Sequence, residues 1–265
     1  MPTAEQPQIY LGTVAIEPNR WGMAQPGGGA TIKLSDWIPA IAEAGFDGIE
    51  LWERHYHDAD AAERARLATA AVPIRVFNTY ASWDEPEPDF RDLAAKTAAD
   101  LGAFGVKFNV GNDPEQQAAY VDRLAAFVER LPADAAALCE CHHGISIAED
   151  PAVAAAIFDA VGSPRVQAMV HTHEDPDHLR ARFDAYGDRI THVHVNFLDF
   201  ESGGAPVLAE ACDRLAGQIT LLRSLGFAGS WTIEFVHGLM TEGDQPQLLV
   251  EQAIADLAVL REVLA

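Results

Sequence analysis

Two histidines stand one residue apart in Ile190-Thr191-His192-Val193-His194-Val195-Asn196, a stretch that alternates polar and apolar side chains. As a strand, period two turns His192 and His194 to one face and Thr191, Val193 and Val195 to the other. A lone histidine is more often a satisfied core residue than a ligand, but paired imidazoles are a poor choice for plain packing. Other apolar runs carry matching donors: Glu140 and His142, His171 and His173, and Glu234. Imidazoles and carboxylates gathered from several strands are the ligand types of a divalent metal site.

The elements that must position these groups recur along the chain. Eight short apolar runs, each followed by a helical pattern, span Ile9 to Ile16, Gly48 to Trp52, Ile74 to Tyr80, Gly105 to Val110, Ala136 to His142, Val166 to His173, Ile190 to Phe197 and Ser230 to Val236. Strands that alternate with helices pair in parallel, and eight such units predict one closed (β/α)8 TIM barrel over residues 1–265. Asp113-Pro114, Asp150-Pro151 and Asp175-Pro176 each set a capping carboxylate before a proline at a helix start, and Gln116 gives Asp113 a capping-box spacing. Val250, Ile254, Leu257, Leu260 and Leu264 form one helix face; Leu208, Leu215, Ile219 and Leu222 form another. Ala44-Gly45-Phe46 and Leu225-Gly226-Phe227 read as helix ends that lead into strands. A doubly wound open sheet is the rival. It calls for a glycine-rich phosphate turn directly after the first strand, whereas Gly27-Gly28-Gly29 comes too late and reads as a rim loop.

Composition narrows the function. Lys and Arg number 18 against 40 Asp and Glu, and the formal net charge of −22 opposes binding to nucleic acid or to an anionic membrane. Met1 to Gln8 lacks the basic start and apolar run of a signal peptide, and no stretch has the roughly 18 apolar residues of a membrane helix. Three cysteines, Cys139, Cys141 and Cys212, form no framework, and a reduced, cytoplasmic protein is expected. Period two turns Cys139 and Cys141 away from Glu140 and His142, towards the helix layer, which argues against a soft-metal Cys-x-Cys site.

Active sites of such barrels lie at the C-terminal strand ends. There the sequence puts Glu50, Lys107 and Asn109, Glu140 and His142, His171 and His173, His192 and His194, and Glu234. Trp21, Trp52 and Trp83 fall at or after the first three strands, where a ring can stack on a sugar or simply pack the rim. Lys107 suits either a substrate oxygen or an ion pair inside the barrel. His55 and His57, just past strand two, read as mouth lining or, more simply, as solvated loop side chains. Besides Arg20, Arg54 and Lys107 the strand ends hold few cations, which favours a neutral polyol or keto-sugar over a phosphorylated substrate.

In this order the motifs resemble the xylose isomerase-like barrels, a superfamily of ketose 3-epimerases, hydroxypyruvate isomerase, inosose dehydratase, dehydroshikimate dehydratase and endonuclease IV. The marks are Gly45-Phe46-Asp47-Gly48-Ile49-Glu50-Leu51-Trp52, Glu140-Cys141-His142, His192-Val193-His194 and Ile233-Glu234-Phe235. The resemblance covers essentially the whole chain. It implies one divalent metal held by Glu140, His171, His194 and Glu234, of which Glu140 and Glu234 serve as acid and base, with His142 in the substrate-binding position. Glu50, Trp52, Lys107 and His192 are further candidates for substrate contact. The sixth strand departs from the pattern: the family has Asp there with His three residues on, while this chain has His171 and then Glu174. His173 competes for the ligand role, and His171 can instead stand behind the ligands. Loss of one carboxylate makes the metal a stronger Lewis acid and favours Mn2+, then Co2+, Fe2+ or Zn2+, over Mg2+.

The expected activity is isomerisation or epimerisation of a small neutral carbohydrate through an enediolate. Elimination from a keto-polyol, as in inosose dehydratase, is the alternative, and the sequence does not separate the two. A DNA phosphodiesterase would have to recruit His55, His57, His173 and Asp199 against the net charge, and an inactive partner subunit rests only on the altered sixth strand. Family members are often dimers or tetramers, so a homodimer or homotetramer is expected.

Overall fold

The structure, a computed structural model, describes residues 6–22, 28–199, 201–239 and 243–265; Met1 to Glu5 and Gly27, read above as part of a leaderless start and a rim loop, lie outside them. Eight parallel strands close in sequential order: β1 (Ile9–Gly12), β2 (Gly48–Trp52), β3 (Ile74–Asn78), β4 (Gly105–Phe108), β5 (Ala136–Cys139), β6 (Val166–His171), β7 (Ile190–Val195) and β8 (Ser230–Ile233), with β8 paired back to β1. Around them run α1 (Ile38–Ala44), α2 (Glu53–His57), α3 (Ala61–Ala68), α4 (Asp89–Leu101), α5 (Gln117–Arg130), α6 (Pro151–Val161), α7 (Pro176–Tyr186), α8 (Cys212–Ser224) and α9 (Pro246–Leu264). The chain folds as the (β/α)8 barrel its alternating pattern predicts. None of the helices is long and apolar enough to cross a membrane among the described residues.

Each strand begins where its apolar run begins, but seven of the eight end early, β2 alone filling its run. Thr13–Ile16 turns into a 3-10 helix, and β5 and β8 stop one residue short of Glu140 and Glu234. Asp150 accepts from the backbone N–H of Ala152 and Val153, and Asp175 from Asp177. Asp113 starts a 3-10 turn instead of the full helix, and its carboxylate takes Gln116 Nε2 rather than completing a capping box. Leu208 lies outside α8, in the segment before it.

The main core fills the layer between strands and helices, and Cys139 and Cys141 are fully buried in it. Inside the barrel the floor is Tyr10, Val76, Ala136 and Leu138. Two register slips shape the space above that floor. Between Ala168 and Met169 the pairing of β6 with β7 shifts by one residue, so that Met169 faces His192 and His171 faces His194. A second slip, between Ile49 and Glu50, sets Glu50 beside Val76. Because side-chain direction alternates along a strand, each slip decides which face the polar residues take.

Asp256, on the buried face of α9, accepts from the backbone N–H of Leu208 and from Gln252 Nε2 through one oxygen, while its other oxygen has no hydrogen-bond partner among the described residues. Burial pushes this carboxyl up to about 6, above its ordinary value of 3.8. The folded state therefore holds the proton more tightly than the unfolded chain, and stability falls as pH rises from about 4 to about 6. Asp256→Asn is expected to raise stability by about 1–2 kcal/mol at pH 8, with the gain fading near pH 4. Urea unfolding of both proteins at the two pH values checks this; an equally large gain at both would contradict it.

Candidate metal centre and active site

Glu140, His171, His194 and Glu234 converge at the C-terminal mouth of the barrel, all buried. Adjacent positions on β6 and β7 bring the two imidazoles together, with ring centroids 5.2 Å apart. The glutamates sit just past their strands, where Glu140 N–H donates to Phe108 O (2.9 Å) and Glu234 N–H to Val195 O (3.3 Å). Gly12 leaves room for this: a side-chain carbon there would lie 3.5 Å from the Glu234 Cα and 3.1 Å from Ile233 O.

The donor atoms face a common space. His171 Nε2 lies 3.4 Å from Glu140 Oε1 and 3.9 Å from Glu234 Oε2, and His194 Nδ1 lies 3.1 Å from Glu234 Oε1 and 3.9 Å from Glu140 Oε1. Separations of about 3.4 Å are those between ligands about 2.1 Å from a tetrahedral ion. His194 Nδ1 is buried and, among the described residues, faces only the carboxylates of Glu234 and Glu140, whereas its Nε2 lies 2.9 Å from Glu50 Oε2. A carboxylate behind an imidazole fixes the ring and its tautomer and leaves the other nitrogen for a metal.

Charge supports the same assignment. Glu50, Glu140 and Glu234 are buried together, with the Lys107 ammonium 2.7 Å from Glu140 Oε2, which also accepts from Asn109. Burial alone would raise Glu140, but Lys107 first, then His171 and His194, holds it well below the carboxylate range. Burial would likewise lower His194, yet Glu234 and Glu50 push it up to about 10, so without metal it is an imidazolium. Three carboxylates against one ammonium leave a deficit that a dication balances when both imidazoles are neutral. The donor set fits such an ion.

A cavity of about 250 Å³ opens beside this cluster, lined by Glu140, His171, Glu234, His142, His173 and the apolar wall of Trp21, Tyr80, Ile145, Leu198, Phe235 and Leu239. Trp21 Nε1 donates to Tyr80 OH at 2.7 Å, and Lys107 Nζ lies 5.1 Å from the Tyr80 ring centroid. His142 reaches the cavity by a route other than strand alternation. Cys141 takes a left-handed backbone (φ 52°), which breaks the period-two pattern, and Asn109 Oδ1 then accepts the His142 N–H.

The other sequence candidates occupy different places. Glu50 stands behind His194, as described, and Lys107 pairs with Glu140 rather than lining the cavity. His192 lies one layer lower, stacked on Tyr10 and bonded to Ser230 Oγ and Thr232 Oγ1. With Glu50 and His194 it makes a second donor group, in which His194 is shared. Trp52 packs against Val14, Leu198 and Phe235, and Trp83 packs on Phe108 and Phe127, so neither ring borders the cavity. His55 is not solvated: it is buried between Thr13 Oγ1 (2.9 Å) and Glu17 Oε2 (3.0 Å). His173 borders the cavity and bonds Asn196 Oδ1 at 2.7 Å; burial first, and the neighbouring His171, lower it to about 4. Sequence reasoning missed Asn196, whose Nδ2 donates to Glu234 Oε2 at 2.7 Å. The period that marks His192 and His194 extends to it.

The fold and site together define a parallel eight-stranded barrel with a buried acid–imidazole group, able to hold a metal ion, at its C-terminal mouth. The chain belongs to the xylose isomerase-like TIM barrel family, whose model matches residues 38–262. Among solved structures, D-psicose 3-epimerase from Clostridium cellulolyticum H10 superposes with a TM-score of 0.70 at 15% identity, covering 97% of this chain and 99% of that one. A xylose isomerase-like TIM barrel protein from Mycobacterium smegmatis, in complex with magnesium, gives 0.63 at 15% identity over 100% of both chains. The probable 3-DHS dehydratase AsbF from Bacillus anthracis gives 0.66 at 15% identity, covering 95% and 98%. At such identities the likeness is one of fold. No curated protein matches the chain by sequence.

Removal of the buried cation tests the charge balance. Lys107→Met strands the Glu140 carboxylate and is expected to cost about 3–5 kcal/mol, while Lys107→Met with Glu140→Gln recovers much of that loss. Denaturant unfolding reads both; a single variant within about 1 kcal/mol of wild type would contradict the pairing.

Proposed function

We propose that the protein is a divalent-metal-dependent enzyme that isomerises or epimerises a small neutral sugar or keto-polyol through an enediolate. The observation that carries this reading is the facing arrangement of the buried Glu140, His171, His194 and Glu234 at the wall of a cavity. These four residues would hold the ion, Mn2+ foremost, with Co2+, Fe2+ or Zn2+ as the other candidates. When bound, it polarises a carbonyl and the adjacent hydroxyl and acidifies the C–H between them.

The chain's own groups divide the remaining work. Glu234 Oε2 is held by the neutral amide of Asn196, which orients the carboxylate without neutralising it, so Glu234 removes the proton. Glu140 Oε2 is taken by Lys107 and Asn109, which makes Glu140 the weaker base of the two. His142 and His173 offer hydrogen bonds to substrate oxygens, while Trp21, Tyr80 and Phe235 exclude water and lie against C–H faces. Glu50 and His192 support the centre from below. The encumbrance of Glu140 also favours a second reading, elimination of water from a keto-polyol, because that reaction requires only one carboxylate base. The free thiols of Cys139, Cys141 and Cys212 suit a reducing cytoplasm, and the acidic surface suits a small-molecule substrate rather than nucleic acid.

A panel of keto-sugars and keto-polyols in D2O tests the proposal. One solvent deuteron should enter the product at the carbon next to the carbonyl, and Glu234→Gln should lower kcat by about 10²–10⁴. Full turnover by Glu234→Gln would remove this residue as the base. Loss of water from the product would select the elimination reading.

A further inference from the structure

At the end of the sixth strand an imidazole, His171, is followed three residues later by a carboxylate, Glu174. Glu174 does not point into the cavity beside Glu140 and Glu234. Its Oε1 accepts the backbone N–H of His171 at 2.8 Å and lies 3.4 Å from His171 Nδ1. Its Oε2 lies 2.9 Å from Arg182 Nε. Arg182 is itself buried and fixed, donating to Cys141 O at 2.8 Å and to Tyr186 OH at 3.2 Å.

This arrangement repeats one on the neighbouring strand. Glu50 stands behind His194 at Nε2 and leaves Nδ1 facing the centre; Glu174 stands behind His171 at Nδ1 and leaves Nε2 facing Glu140 and Glu234. A carboxylate acceptor at one ring nitrogen puts that nitrogen in its N–H form and directs the lone pair of the other towards a metal. Arg182 neutralises Glu174, so this support adds no net charge to the centre.

Resting on the metal-centre reading above, we infer that Glu174, clamped by Arg182, is the positioning residue that makes His171 a metal ligand, and that an imidazole supported in this way selects Co2+ or Zn2+ over Mg2+. Imidazole suits those ions, whereas Mg2+ demands oxygen ligands.

The test uses the full chain, stripped of metal and titrated with Co2+, Zn2+ and Mg2+ in competition with a chelator, with the visible absorption of the Co2+ form as a second readout. Wild type should bind Co2+ and Zn2+ more tightly than Mg2+. Glu174→Gln should weaken Co2+ and Zn2+ binding by about 10–100-fold and shift the Co2+ spectrum. A double variant, His171→Asp with Glu174→His, puts a carboxylate at the ligand position and should move the preference towards Mg2+; it also serves where Glu174→Gln fails to fold. Glu174→Gln affinities within twofold of wild type, with an unchanged spectrum, would overturn the role of Glu174. Full Co2+ affinity in His171→Ala would overturn the ligand assignment itself. A wild type that binds none of the three ions, nor Mn2+ in the same titration, would defeat the metal-centre reading and this inference with it.

Discussion

Mutual repulsion among Glu50, Glu140 and Glu234, buried together at the mouth of the barrel, is the constraint on which the rest of the site depends. Carboxylates rarely stay ionised away from water unless cations and hydrogen bonds meet them. Lys107 meets Glu140, His194 bridges Glu50 and Glu234, and His171 reaches towards Glu140 and Glu234. Without metal the imidazoles serve as partial cations. A dication would take over that task, return His194 from its raised value to the neutral form and release a proton.

The barrel supplies what the cluster lacks on its own. Strand ends from different parts of the sequence set their side chains at one height, and the register slips between β2 and β3 and between β6 and β7 decide which residues stand side by side there. Arg182 and Glu174 extend the same logic into the helix layer, where a neutral ion pair holds the ring of His171. The apolar wall of Trp21, Tyr80 and Phe235 then narrows access to the donors, and low polarity strengthens each electrostatic contact within it.

Much of this was legible in the sequence. The alternation of apolar runs with capped helices predicts the barrel, because Asp150 and Asp175 announce helix starts and β2, β3, β4, β6 and β7 begin on a β-branched residue or a glycine. Glu140, His171, His194 and Glu234, which the structure brings together, were candidates because they lie at or next to the ends of consecutive strands, and the family resemblance picked them over His142, His173 and His192. What period two could not deliver lies at the places where the backbone leaves the ideal strand: the left-handed Cys141 before His142, and the slip opposite Thr191. Long-range pairings were equally hidden. Nothing local links Glu50 to His194 or buries His55 against Glu17, since those contacts join residues far apart in the chain.

Metal content is the measurement that bears most directly on the centre. The protein, purified without chelator and analysed by plasma mass spectrometry, should carry about one equivalent of a divalent transition metal per chain, by the charge balance of the site. It should regain that equivalent after stripping and reconstitution. Protein that stays metal-free in both preparations would contradict the account.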